Sequence, residues 1–321
     1  MKAVVMYEQG GPEVLQYETV PTPKPAPAEV LVRVRAATVN HTDIFHRSGQ
    51  AFIRKPMPHI LGMDVAGEIA ELGEGVTDWA VGDRVVSIFE ALGRERDGAY
   101  AEYTTLPADQ LYRIPDGLDA VAAAAIGLAF TTAWIALFYN GRLSDNERVV
   151  IHAASSGVGT SALQIANRHG AAVVAISVPD KADRLRKLGA HIVLDQRAHN
   201  LVAQVMAETN GLGASLVLDL VGGTMLQTSV AMLAPHGRVV CVGTLSGEIA
   251  EINVMDLITK NAQIIGSFGR ISREDFTTVL QLFAEGTFQP VIDQVLPLSE
   301  ARAAHERIES RAAFGKIILT T

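Results

Sequence analysis

The stretch from Arg148 to Ala166, Arg-Val-Val-Ile-His-Ala-Ala-Ser-Ser-Gly-Val-Gly-Thr-Ser-Ala-Leu-Gln-Ile-Ala, limits what this chain can fold into more than any other. Val149 to Ile151 has the β-branched composition of a strand covered on both faces, as parallel sheets require. Beyond a turn of small residues, Val158, Ala162, Ile165, Ala166 and His169 recur at helical spacing, which predicts a helix with one side packed on that sheet. Ala154, Ser156 and Gly159 hold the three positions of a G-x-G-x-x-G pattern, with two glycines replaced by other small residues. Small residues let the backbone approach a pyrophosphate, and a helix starting near Gly157 aims N–H groups and its positive dipole end at one. The bare pattern also occurs as plain packing of a strand turn. The strand before it and the helix after it favour a dinucleotide site over Ala154, Ser155, Ser156, Gly157, Val158 and Gly159.

With 321 residues the chain exceeds the usual single domain, so two are expected. A net charge of −8 argues against a general nucleic-acid or anionic-membrane surface. The single cysteine, Cys241, excludes an internal disulfide and a cysteine-rich zinc lobe, and its strand context, Arg238 to Val242, reads as a buried inert thiol. Met1 to Met6 alternates like a strand and shows no signal peptide, so a reducing, cytoplasmic setting is expected. The longest apolar run, Ala120 to Leu137, is broken by Gly127, Thr131 and Thr132 and reads as two buried helical pieces rather than a membrane span.

Up to about Pro115 the chain reads as short strands, Ala3 to Tyr7, Val30 to Ala37, Val65 to Leu72, Arg84 to Phe89 and Tyr100 to Thr105, separated by glycine and proline turns. That texture predicts a small β-barrel. From Ala120 alanine-rich helical segments alternate with β-branched runs at Val149 to Ile151, Ala172 to Ser177, Ile192 to Leu194, Ser215 to Val221, Arg238 to Val242 and Gln263 to Phe268. Such a βαβ series predicts a doubly wound parallel sheet. A helix over about Arg273 to Glu285 and a strand over Gly315 to Thr320 follow.

Ala153 to Gly159, Asp219-Leu-Val-Gly-Gly223, Gly237 to Gly243, Gly98-Ala-Tyr-Ala-Glu102 and the ending Phe314 to Leu319 together resemble the medium-chain dehydrogenase/reductase superfamily. More narrowly, the chain is similar to its zinc-independent quinone oxidoreductase branch. The resemblance implies an α/β protein with a GroES-like β-barrel domain over residues 1–120 and 270–321 and a Rossmann doubly wound parallel sheet domain over residues 121–269. It implies a cofactor lying in the cleft between them, and a homodimer in which strand 263–268 pairs with its twin.

Zinc relatives bind catalytic metal through Cys, His and a further Cys or Asp. Asn40, Met63 and Leu128 stand at those positions here, and an amide, a thioether and an alkyl group will not hold zinc. His41, His46 and His59 lie nearby in sequence as an alternative metal set, against the commoner structural role of scattered histidines.

An NAD site usually ends its second strand with an acid that accepts from the ribose 2′-OH. Ile176-Ser177 carries none. Ser177 can donate to a 2′-phosphate, and Lys181 falls at the phosphate-binding lysine of the family, so NADPH is expected over NADH. The alternative is that Lys181, Arg184 and Arg186 form a solvated helix face. The chain departs from the family at Ser177-Val178, where Gly-Ser is common, and at Gln196, where tyrosine is common. Asp180 reads as a helix cap rather than a ribose ligand.

By resemblance, Asn40 and Thr132 flank the nicotinamide as the catalytic residues, and Val242, Gly243 and Thr244 contact its carboxamide. Gln196, Val221, Gly222, Phe268 and Lys316 complete the expected cofactor set. Their plainer readings are a capping Asn, a self-bonded helical Thr, and a glycine turn at Gly222-Gly223. Asp43 reads as ordering its loop. Phe45 and the Ala51-Phe52 pair replace tyrosines common near the reacting end, which leaves no obvious proton donor. His46 and Arg47 are read as lying near the mouth or on the surface.

The expected activity is NADPH-dependent, metal-free hydride transfer to a quinone or similar conjugated carbonyl. The competing expectations are a 2-enoyl or enone reductase on the same fold, a non-catalytic NADPH-binding protein, and a zinc alcohol dehydrogenase.

Overall fold

The fold was taken from a computed structural model, which describes residues 1–51 and 56–321. The chain divides into two compact units, one of residues 1–128 and 273–321, the other of residues 129–272.

The first unit begins with β1 (Lys2–Met6), β2 (Gln16–Thr19), β3 (Glu29–Val39), α1 (His41–Ser48), β4 (His59–Ile60), β5 (Val65–Leu72), β6 (Arg84–Ser87), β7 (Tyr103–Pro107) and β8 (Leu111–Arg113). The expected strand at Tyr100 to Thr105 starts only at Tyr103: Ala99 and Tyr100 instead bond across to Gly62 and Leu61. The helical stretch α2 (Ala120–Trp134) is two pieces joined at Gly127, whose φ of −11° and ψ of −125° are not helical. A Cβ at Gly127 would stand 2.2 Å from Oδ1 of Asp64, so only glycine lets this bend lie against that carboxylate. From Ala120 to Asn140 the chain is long and apolar enough to cross a membrane, yet two thirds of its most apolar window is buried inside the protein (67%), as for a core helix.

In the second unit β9 (Arg148–Ile151), α3 (Gly157–Arg168), β10 (Ala172–Ser177), α4 (Ala182–Lys187), β11 (Ile192–Asp195), α5 (Leu201–Glu208), β12 (Ala214–Asp219), α6 (Met225–Ala231), β13 (Leu233–Cys241), α7 (Val254–Lys260) and β14 (Gln263–Gly266) alternate. The strands form one parallel sheet in the order β11-β10-β9-β12-β13-β14. Val149, Val150 and Ile151 are completely buried in its centre, as their composition predicts. Ala162, Ile165 and Ala166 of α3 are buried, but His169 caps that helix and pairs with Asp145 at 3.2 Å instead. The last strand stops at Gly266, short of Phe268, and β12 stops at Asp219, short of Val221, because both chains bend into loops there. Cys241 is half-buried, with its thiol pushed up to about 11 by burial and by Asp219, so it stays protonated.

The chain then returns to the first unit through α8 (Arg273–Ala284), β15 (Ile292–Pro297), α9 (Ala301–Glu309) and β16 (Lys316–Thr320). β16 pairs with β3, from Ile317 opposite Val39 to Thr320 opposite Ala36, so the sheet runs β15-β16-β3-β5-β6-β8. Val30, Val32, Val34, Leu106, Leu111 and Ile317 pack its core without exposure.

Candidate active site

The second unit carries the dinucleotide turn. After β9 the backbone passes through Ala153 at φ +46° and enters α3 at Ser156, whose Oγ accepts from the Gly159 N–H at 3.0 Å. The first-turn N–H groups of Gly157 and Val158 have no partner within the helix. A Cβ on Gly159 would lie 2.5 Å from the Ala153 carbonyl oxygen and 2.7 Å from Ala154, so this position admits only glycine.

The loops after β12 and β13 lie against each other. Asp219 is fully buried, and its Oδ1 accepts from the N–H groups of Val221 at 2.9 Å and Gly222 at 2.8 Å. Gly222 has φ +67°, and a Cβ there would stand 2.4 Å from the Gly243 carbonyl oxygen. Val242 N–H bonds the Asp219 carbonyl and Ser246 N–H that of Val221, so Val221, Gly222, Val242, Gly243 and Thr244 form one small-residue wall. Behind it Ser229 donates to Asp219 Oδ2 at 2.9 Å and lies 3.1 Å from His152 Nε2. This His152–Ser229–Asp219 set is absent from the expectations above. An acid at a strand end just before Gly-Gly was the only signal, since an aspartate there ties the next turn to itself.

At the ends of β10 and β11, Gln196 N–H bonds the Ser177 carbonyl at 2.9 Å, and Lys181, only 8% exposed, begins the next turn. Asp180 is exposed in a one-turn 3₁₀ segment and is the cap of neither that segment nor α4, contrary to expectation. The Ser177 hydroxyl is buried, and among the described residues it has no hydrogen-bond partner. An orphaned buried hydroxyl costs about 1–3 kcal/mol, so its place at the strand end suits a ligand that supplies the missing partner. Turn, wall and strand end together offer a pyrophosphate seat, an amide-binding surface and a hydroxyl donor, which fit a pyridine dinucleotide. Phe268 lies outside this set, 84% exposed just beyond β14. Thr132 is half-buried in α2.

The first unit carries a buried polar cluster. Asp64 accepts from Thr38 Oγ1, from Asn40 Nδ2 at 2.9 Å and from the Leu128 N–H at 2.7 Å. Lys316 donates to Asn40 Oδ1 at 2.5 Å and to the Val39 carbonyl at 3.3 Å, and its Nζ stands 3.6 Å from Asp64 Oδ2. Asn40 is the N-cap residue of α1, and Asp43 accepts its N–H at 2.8 Å and that of Gly62 at 3.1 Å. Asp43 therefore holds the loop. Burial pushes its carboxyl up to about 7.

A second chain of buried groups leads away from Asp43. Tyr100 donates to it at 3.4 Å and lies 3.1 Å from His305 Nε2, and Arg47 Nη1 lies 3.3 Å from His305 Nδ1. Arg47 then pairs with Glu309 at 2.5 Å. His46 and Arg47, read from the sequence as lying near the mouth or on the surface, are thus buried, at 6% and 1% exposure. His59 spans the Gly93 carbonyl and the Asp97 carboxylate, and among the described residues no three acids, histidines or cysteines stand close enough to hold a metal. Phe52 lies outside the described residues.

Comparison with known proteins agrees with this architecture. The family described as "Alcohol dehydrogenase GroES-like domain" matches residues 26–116, and that described as "Zinc-binding dehydrogenase" matches residues 157–285. The chain is 35% identical to a quinone oxidoreductase of Sus scrofa, over 99% of this chain and 97% of the relative. Among solved structures it resembles an NAD-dependent alcohol dehydrogenase at 35% identity and a TM-score of 0.92, covering 100% of each chain. It also resembles a mycobacterial protein solved in complex with NADPH, at 30% identity and a TM-score of 0.87, again over 100% of each.

Proposed function

Because the chain belongs to the medium-chain dehydrogenase/reductase superfamily, in its quinone oxidoreductase branch, we propose that this oxidoreductase uses NADPH, without zinc, to reduce a quinone or similar conjugated carbonyl. The observation that carries the cofactor choice is the partnerless Ser177 hydroxyl at a strand end with no acid, followed by Lys181. A 2′-phosphate gives that hydroxyl an acceptor and sets a dianion beside the lysine, whereas a ribose hydroxyl brings no charge there.

NADPH supplies a hydride, and with one proton from water a quinone becomes a hydroquinone. The Ala154 to Gly159 turn seats the pyrophosphate, with Ser155, Ser156, Gly157 and Val158 lining it. Ser177, Lys181 and Gln196 hold the phosphorylated ribose, and Val221, Gly222, Val242, Gly243 and Thr244 hold the nicotinamide amide. The resemblance sets Asn40 and Thr132 beside the nicotinamide ring and Phe268 and Lys316 among the further cofactor residues. A hydroquinone needs no dedicated acid, since water protonates its anion. The donor chemistry supports working without zinc: an amide, a thioether and an alkyl group stand at the three positions at which the resemblance places metal ligands.

The reading extends to assembly and setting. β14 is an edge strand with one side unpaired, and Ile249, Val254, Met255, Ile258 and Phe268 are each more than half exposed around it, so a homodimer through β14 would cover them. A cytoplasmic setting suits the lone thiol. Steady-state rates with NADPH and NADH against quinones, enones and alcohols, with and without chelator, test the proposal. Turnover of quinones with NADPH that survives chelation is expected, and alcohol oxidation lost on chelation overturns it.

A further inference from the structure

Asp64 is 1% exposed, and a carboxylate taken that far from water must be compensated by charge and hydrogen bonds. Two of its bonds come from the very positions at which the resemblance places metal ligands: the Asn40 side chain and the Leu128 N–H. The third such position, Met63, is its immediate neighbour in the chain. Among the described residues the full positive charge in this cluster is the Lys316 ammonium, bonded to Asn40 Oδ1, 5% exposed and 3.6 Å from Asp64.

We propose that the Lys316 ammonium is the resident cation of this site, neutralising Asp64 and locking the Asn40 amide in place of a bound metal ion. The inference rests on the quinone reductase reading only for its consequence on substrate choice. The amide shows the locking directly. Its oxygen accepts a hydrogen bond from Lys316 and its nitrogen donates to Asp64 and, at 3.3 Å, to Thr38, so its oxygen and nitrogen cannot be exchanged without two donors facing each other. Burial pulls the ammonium below the usual lysine range, while Asp64 and Asp43 act to keep its charge. Lys316 is thus a positioning residue: it keeps its protons and acts through Asn40 and through the positive potential it adds nearby.

An ammonium differs from a metal ion in one respect that selects substrates. A zinc ion offers an open position that lowers the pKa of bound water to about 7, and it can ionise an alcohol in the same way. A tethered ammonium has no open position. The site therefore favours acceptors that need only a positive field as charge builds on their oxygen, such as quinones, and does not activate alcohols.

The test uses the full chain with Lys316→Ala, Lys316→Met and Lys316→Arg. Losing one charged hydrogen-bond donor should lower kcat with NADPH and a quinone by about tenfold or more in the alanine and methionine variants. The KM for NADPH should change little, and arginine should recover part of the rate. Ethylammonium should raise both the Tm and the kcat of the alanine variant and leave wild type unchanged. Tetramethylammonium, which has no N–H, should do neither. An alanine variant that folds only with ethylammonium present also supports the proposal. A methionine variant with wild-type kcat and Tm overturns it. So does a loss confined to KM for NADPH, which would make Lys316 a cofactor ligand alone. Zinc-dependent alcohol oxidation by wild type would overturn the substrate consequence. If wild type reduces no quinone, the function reading fails while the effect of ethylammonium on Tm still decides the role of the cation.

Discussion

The hydroxyl of Tyr100 lies 3.1 Å from Nε2 of His305, joining two residues 205 positions apart through atoms that water does not reach. His305 Nδ1 faces the Arg47 guanidinium, which can only donate, so Nδ1 accepts and Nε2 carries the hydrogen toward Tyr100. Tyr100 in turn donates to Asp43. Replacing Tyr100 by Phe leaves His305 with a buried donor that has lost its acceptor. We expect Tyr100→Phe to cost about 1–3 kcal/mol in urea denaturation, with the fold retained by circular dichroism.

The pH dependence of stability follows from the same groups. Burial holds His305 down to about 3 and His46 down to about 4, and it also lowers His152. These rings stay neutral in the folded chain while the unfolded chain takes up protons below about 6.5, so their contribution is lost as pH falls through the range from 6.5 toward 4. Asp43 acts with the opposite sign. Its folded value of about 7 lies above its unfolded one, so the stability it adds at low pH is lost as pH rises from about 4 to 7. Three histidines outweigh one aspartate, so the protein should lose stability on acidification below 6.5. Asp43→Asn removes the opposing group and should make that loss steeper, measured by the denaturation midpoint at each pH.

Ser177→Ala separates folding from binding. It deletes a buried hydroxyl with no partner and should leave the apo protein as stable or up to about 1 kcal/mol more stable. Affinity for NADPH should fall at the same time. Lys181→Ala should raise KM for NADPH with little effect on NADH. Equal effects on the two coenzymes would remove the phosphate role from both residues.

Gly159→Val places side-chain carbon within 2.5 Å of the Ala153 carbonyl oxygen and must displace the turn. In a variant shown to be folded, fluorescence titration should find the affinity for NADPH reduced by about a hundredfold or more, as when a site loses several hydrogen bonds to one phosphate group. Retained affinity would remove the pyrophosphate from this bend.

The β14 edge gives a prediction of assembly. Ile264→Lys places a charge on a strand whose outer side chains would meet their twins. Light scattering should show a dimer for wild type and a monomer for the variant. A monomeric wild type would discard the dimer.

The second unit was the more legible in the sequence. Its inner strands β9, β10 and β12 are buried along most of their length and so are written as apolar runs, and β10 has the bounds that its composition predicts. In the first unit β4 spans two residues and β8 three, too few for any alternation to show. Of the site, the turn at Ala154 to Gly159 could be read because all its parts are local. The Lys316–Asn40–Asp64 cluster and the Arg47–His305 contact could not, since they join polar residues 276, 24 and 258 positions apart, each of which alone looks like surface. Arg47 reads as lying near the mouth or on the surface for that reason: it is buried against α9, which brings it His305 and Glu309 and whose approach no local pattern announces.

β16 lies between β15 and β3, inside its sheet, although 202 residues separate the end of β8 at Arg113 from the start of β16 at Lys316. A ribosome making this chain therefore releases every strand of the parallel sheet before it releases the one that completes the earlier unit. The parallel sheet can form first during synthesis, while the end of β3 from Ala36 to Val39 waits for its partner. When β16 docks it brings Lys316 to Asn40, so closing the sheet and delivering the ammonium are a single event of biosynthesis.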